Sequence, residues 1–133
     1  MSSAKLKNVG YILLGFTISA YLSSLLSTSD IVAVLSLLPI IALTHEALHL
    51  VALKMLRVEH AFSANGMFIG FRVKTNNVKS FIISALFPQA ISMTLIVLYI
   101  INKSYIALSL ALLHIAMSVE DLGKVVKYLT VYH

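Results

Sequence analysis

The chain has 133 residues, of which 59% are hydrophobic and 11% charged, and its net charge is +5. So few polar groups cannot cover a water-soluble globule, which excludes an ordinary soluble domain and points to a single integral membrane domain over residues 1–133, with the lipid bilayer as its surroundings. The lack of cysteine removes disulfides, thiolate metal sites and a cysteine nucleophile, and basic residues at the edges of apolar runs, not in a stripe with aromatics, argue against a nucleic-acid partner.

Four apolar stretches approach the ~20 residues that a spanning helix needs: about Val9 to Leu26, Ile31 to Leu56, Ser80 to Ile101 and Tyr105 to Leu122. The first follows Lys5 and Lys7 as a signal peptide would. Its apolar run continues through Leu22, Leu25 and Leu26, however, so it reads as a retained anchor. Of the 10 basic residues, Lys103 alone falls on one side of the resulting bundle; Lys5, Lys7, Lys54, Arg57, Arg72, Lys74, Lys79, Lys124 and Lys127 fall on the other. The positive-inside rule then puts both termini and the long loop in the cytoplasm. The opposite connections, Ser27 to Asp30 and Asn102 to Ser104, are short enough for tight helix hairpins.

The second stretch contains PIIALTHEALHLVALKM, Pro39 to Met55. His45 and His49 are four residues apart and share a helix face, with Glu46 beside them. In His-Glu-x-x-His the imidazoles can hold one Zn²⁺ while the glutamate serves as general base toward the attacking water. Ionisable groups inside a spanning segment are costly unless they have such a function. A catalytic zinc takes three protein ligands and keeps an open position. The candidates for the third are Glu59, His60, His114, Glu120 and Asp121, with Asp30 on the wrong side of the membrane and His133 at the terminus.

Next come two short runs, Glu59 to Ala64 and Met67 to Val73, flanking Asn65-Gly66, a strong hairpin signal. The spacing predicts a membrane-associated β-hairpin. Two roles are open to it: its exposed edge can hold an unwound peptide by strand addition, with Asn65 a candidate substrate contact, or it is a structural re-entrant hairpin. In the third stretch Pro88 removes a backbone donor and frees a carbonyl near Ser84. Gln89 offers a buried amide, as interhelical glue or as a substrate contact.

The fourth stretch ends in HIAMSVED. At about 100° per residue, Asp121 lies about 20° from His114 and about 60° from Ser118, whereas Glu120 points about 120° from His114. Asp121 is therefore favoured as third ligand, Glu120 and His114 remain alternatives, and His114 and Ser118 otherwise support the ligands. Two adjacent acids at a helix C-terminus oppose the helix dipole and so need another partner. Beyond Asp121, the residues Leu122, Val125, Val126 and Leu129, with Lys124 and Lys127 opposite, predict a C-terminal amphipathic helix on the membrane surface.

HEALH, the hairpin after it, a proline-containing third helix and an aspartate late in the fourth resemble the site-2-protease-type intramembrane zinc peptidases, and most of all their small four-helix zincin relatives. The arrangement extends over most of the chain. HEALH is its specific motif, and SVED is similar to the family's serine-x-x-aspartate element. Site-2 proteases hold the third ligand in a leucine- or asparagine-proline-aspartate-glycine context, where this chain has Glu120-Asp121-Leu122-Gly123. The resemblance implies an all-α membrane protein with four transmembrane helices, a Zn²⁺ cofactor, and cleavage of transmembrane or membrane-proximal segments of a membrane-embedded protein substrate. The expected setting is the plasma membrane of a prokaryote, with the active site toward the cytoplasm. Two other classes compete, a non-catalytic zinc-binding membrane scaffold and a proton or ion conduit. The extracytoplasmic helix halves carry chiefly serine and threonine as polar residues, which counts against the conduit.

Overall fold

The computed structural model describes residues 13–15, 17–18, 20–22, 24–65, 68–75 and 77–131. The expected first span lies partly outside this set; its described residues 13–15, 17–18 and 20–22 are helical. From there the chain forms α1 (Thr28–Met55), β1 (Glu59–Asn65), β2 (Phe68–Lys74), α2 (Val78–Leu86), α3 (Gln89–Asn102), α4 (Tyr105–Met117) and α5 (Val119–Val131).

Local chemistry sets the ends of α1. Ser27 caps it in a capping box, its side chain accepting from the Asp30 N–H while the Asp30 carboxylate accepts from the Ser27 N–H. Ser27 to Asp30 is thus the first turn of the helix and not a free connection. At the other end Arg57 adopts φ 53°, Val58 N–H bonds to the Leu53 carbonyl and Arg57 N–H to that of Lys54. That pair of bonds is a Schellman stop, here without its usual glycine. The 28 residues between extend for about 42 Å, enough to cross a ~30 Å hydrocarbon layer.

The strands pair antiparallel, as the sequence predicts, with Asn65 opposite Phe68 and Glu59 opposite Lys74. This register moves the connection one residue along from Asn65-Gly66 to positions 66 and 67, which lie outside the described residues. Asn77 then caps α2 by accepting from the Lys79 and Ser80 N–H groups. Phe87 and Pro88 interrupt the ladder between α2 and α3, although Val78–Asn102 continues as one apolar helix of 25 residues.

The fourth stretch departs from expectation. It is not one helix to Leu122: α4 stops at Met117, and α5 leaves at 51°. Ser118 is the joint. Its hydroxyl donates back to the His114 carbonyl at 2.7 Å, and its own N–H is shared between the carbonyls of His114 and Ile115. Such back-bonding bends helices. Among the described residues two helices, α1 and the α2–α3 unit, are long and apolar enough to cross a membrane, or three if the bent α4–α5 pair is one span.

The interior is built of small residues. Ser92 on α3 and Ala107, Ser109 and Ala111 on α4 are buried, which lets these antiparallel helices approach closely. Larger side chains buried with them include Val34 and Leu53 on α1, Leu110 on α4 and Val125 on α5. On α1, Val32, Leu35, Ile40 and Leu43 are exposed, a set suited to lipid contact. The amphipathic α5 turns Val125 inward and Val126 and Leu129 outward. It is held on α2 by Tyr128, whose ring stacks on Phe81 with centroids 4.2 Å apart and planes at 24°.

This stack anchors α5 and should be measurable by itself. A double-mutant cycle of Phe81→Ala and Tyr128→Ala, followed by denaturant unfolding in micelles, is expected to give a coupling of about 0.5–1.5 kcal/mol. Additive losses would mean that the rings contribute area and no pairing.

Candidate metal centre

His45 and His49 project from one face of α1, one turn apart, about 15 Å and 9 Å from its C-terminal end at 1.5 Å per residue. Asp121 comes from the first turn of α5. Their ligand atoms converge. His45 Nε2 and His49 Nε2 are 3.1 Å apart, and Asp121 Oδ2 lies 3.2 Å from the second and 3.4 Å from the first. Ligands about 2.0–2.1 Å from a tetrahedral zinc stand about 3.3 Å from one another, so the triangle has the size of one face of that tetrahedron. Among the described residues, these three form the His/Asp group that can hold a metal ion.

The outer hydrogen bonds support this reading of the donor set. His49 Nδ1 lies 2.8 Å from the Ser84 carbonyl. A carbonyl can only accept, so Nδ1 carries the proton and Nε2 keeps its lone pair. His45 Nδ1 lies 2.9 Å from His114 Nε2, and His114 Nδ1 lies 2.6 Å from Ser92 Oγ. This chain has two consistent orders. In one, His45 donates to His114 and His114 donates to Ser92, which leaves His45 Nε2 free to ligate; the other protonates that atom. With the first order, three lone pairs point at one spot and repel unless a cation stands between them. Zinc fits that donor set.

The bend at Ser118 resolves the puzzle of the adjacent acids. They begin α5 and do not end α4, so the helix dipole favours them. Asp121 uses both carboxylate oxygens: Oδ2 faces the imidazoles, and Oδ1 lies 3.5 Å from Lys124 Nζ. The same ammonium pairs with Glu120 at 3.1 Å. Lys124 thus bridges the two acids: Glu120, exposed and at the rim of the same cleft as the imidazoles, and Asp121.

A cleft of about 540 Å³ opens at this point, between α1, the hairpin, α2 and α5. His45, Glu46, His49 and Asp121 line it, and Leu53, Phe71, Phe81, Ala85 and Met117 give it an apolar wall. Strand β2 passes over Glu46, so that a Cβ placed on Gly70 would lie 4.0 Å from Glu46 Oε2. Asn65 and Phe68 form the last pair of the ladder. In such a two-residue connection they exchange hydrogen bonds, and by alternation the N–H and C=O groups of Phe71 and Val73 point away from β1.

Other sequence candidates stand elsewhere. His114 is fully buried behind His45 and does not join the triangle. Ser118 serves the bend. His60 bonds to the Val58 carbonyl, and Asp30 caps the far end of α1. Gln89 does not line the cleft; its Nε2 is buried without a hydrogen-bond partner among the described residues. The Asn65 side chain and His133 lie outside the described residues. Ser92 and Lys124 were not expected at the site. No spacing ties a serine to a histidine 22 residues on, but the three- and four-residue spacing of Lys124 from Asp121 and Glu120 is a local pairing signal that could have found it.

Comparison with known proteins matches residues 37–131 to a family described as "putative zincin peptidase". No curated protein and no solved structure matches the chain.

The geometry discriminates between the neighbouring acids. Zinc titration is expected to give one equivalent in the wild type and in Glu120→Gln, and to lose tight binding in His45→Ala, His49→Ala and Asp121→Asn. His114→Ala should bind zinc about 10–100 times more weakly, as a partner that only orients a ligand would. Full zinc affinity in Asp121→Asn would refute the assignment.

Proposed function

The chain belongs to the putative zincin peptidase family, and from that premise we propose that it is a zinc-dependent endopeptidase that cuts transmembrane or membrane-proximal segments of membrane proteins. The observation that carries the proposal is the convergence of two imidazoles and a carboxylate within 3.4 Å beside a glutamate in a cleft. When bound, zinc supplies Lewis acidity, acidifying the attacking water and polarising the peptide carbonyl.

The protein's own residues do the rest. His45, His49 and Asp121 hold the ion. Glu46 follows His45 by one residue, so it points about 100° from it and borders the cleft without joining the ligands. Its carboxylate takes the proton from the attacking water and returns it to the leaving nitrogen. The apolar wall of the cleft excludes bulk water around that transfer.

A helical substrate hides its scissile carbonyl in its own hydrogen bonds and must be unwound. The outward N–H and C=O groups of Phe71 and Val73, at the edge of the cleft, offer an extended segment a strand to pair with. This supports strand addition as the mode of substrate capture. The depth of His45 along α1 supports cleavage within the bilayer, and the distribution of lysine and arginine supports a site toward the cytoplasm.

Glu46→Gln is expected to lower cleavage of a model transmembrane peptide in liposomes by at least about 100-fold while binding zinc as the wild type does. Wild-type protein loaded with zinc that cleaves no such peptide would favour a scaffold. Phe71→Pro removes an outward N–H without touching the ladder and should impair cleavage more than Phe71→Ala does, with zinc content unchanged. Equal activity of those two variants would argue against strand addition.

A further inference from the structure

In an α-helix each carbonyl accepts from the N–H four residues on. For Ser84 that residue is Pro88, which has no N–H. Around the break the chain bonds at three-residue spacing instead, Ala90 to Phe87 at 3.2 Å and Ile91 to Pro88 at 3.0 Å. Ser84 is buried, and a buried carbonyl needs a partner. It finds one on another helix, His49 Nδ1 at 2.8 Å.

We infer that Pro88 is a positioning residue for the metal centre: by withholding an N–H it reserves the Ser84 carbonyl for the His49 imidazole, fixing the ring with Nε2 turned toward His45 and Asp121. The inference rests on reading those three side chains as a metal centre. With a donor at position 88, the helix would compete for the same carbonyl. His49 would then lose both its orientation and the bond that selects its tautomer. Pro39 makes the contrast. It also lies inside a helix, α1, but the carbonyl it frees, that of the exposed Leu35, receives no side-chain donor among the described residues.

The test uses full-length protein in micelles. Pro88→Ala restores the donor and should weaken zinc binding, measured by chelator competition, about 10–100-fold. The thermal midpoint of the metal-free protein should stay level or rise, because a helix gains a bond. Replacing residue 88 with the α-hydroxy analogue of alanine gives an ester with no N–H and no ring, and this variant should recover wild-type affinity. Pro39→Ala should leave affinity unchanged. Imidazole ¹⁵N NMR of the metal-free protein should find a single Nδ1–H tautomer at His49 in the wild type and a mixture in Pro88→Ala. Zinc affinity in Pro88→Ala within twofold of wild type, or an ester variant as weak as Pro88→Ala, would overturn the inference. Wild-type protein that binds no zinc would sink the reading of the site as a metal centre, and the tautomer of His49 would still decide the role of Pro88.

Discussion

Two imidazole nitrogens and a carboxylate oxygen within 3.4 Å of one another are a costly arrangement in an apolar protein, and the positions of the surrounding helices follow from holding it together. Each donor has a second bond at its back. His49 leans on the Ser84 carbonyl, His45 on His114 and Ser92, and Asp121 on Lys124. These bonds draw on α1, α2, α3, α4 and α5, so each described helix from Thr28 onward contributes to one small cluster. Buried polar groups of this kind are tolerable only when every member has a partner. The placement of serine and histidine among alanine and leucine in the helix contacts follows from that requirement.

The bend at Ser118 has the largest consequence for the site. A straight helix would have carried Glu120 and Asp121 past its C-terminal carbonyls, where their charge is unfavourable. Breaking at Ser118 starts a new helix, turns its N-terminus to the cluster and frees α5 to lie against α2, where Tyr128 stacks on Phe81. Between the two acids, direction decides: Asp121 converges with the imidazoles. The Lys124 ammonium takes Glu120 on the exposed side and one oxygen of Asp121 on the other.

The hairpin supplies the remaining wall. Strand β2 lies over Glu46 at Gly70, and the N–H and C=O groups of Phe71 and Val73, residues that line the cleft, point away from β1. An extended peptide entering there would meet hydrogen-bonding backbone and apolar side chains together. On the proposed function, that combination suits an unwound membrane segment, which brings unsatisfied amides and apolar side chains at once.

What could be read from the chain alone was local. The apolar runs, the four-residue spacing of His45 and His49 with Glu46 between, the hairpin around Asn65, and the carbonyl freed by Pro88 all follow from periodicity and backbone chemistry over a few residues. The helical wheel also singled out Asp121, although it assumed a continuous helix that the structure breaks. Tertiary structure decided the matters that depend on partners far apart in sequence. These are the turning of His114 onto His45 and Ser92 and the donor that takes the Ser84 carbonyl; the bend at Ser118, the strand register and the pairing of Lys124 with two acids are made by residues close in sequence, where several local arrangements were open. A serine hydroxyl, a neutral imidazole or a lysine can satisfy itself in many local ways, and only the packing of other helices selects one.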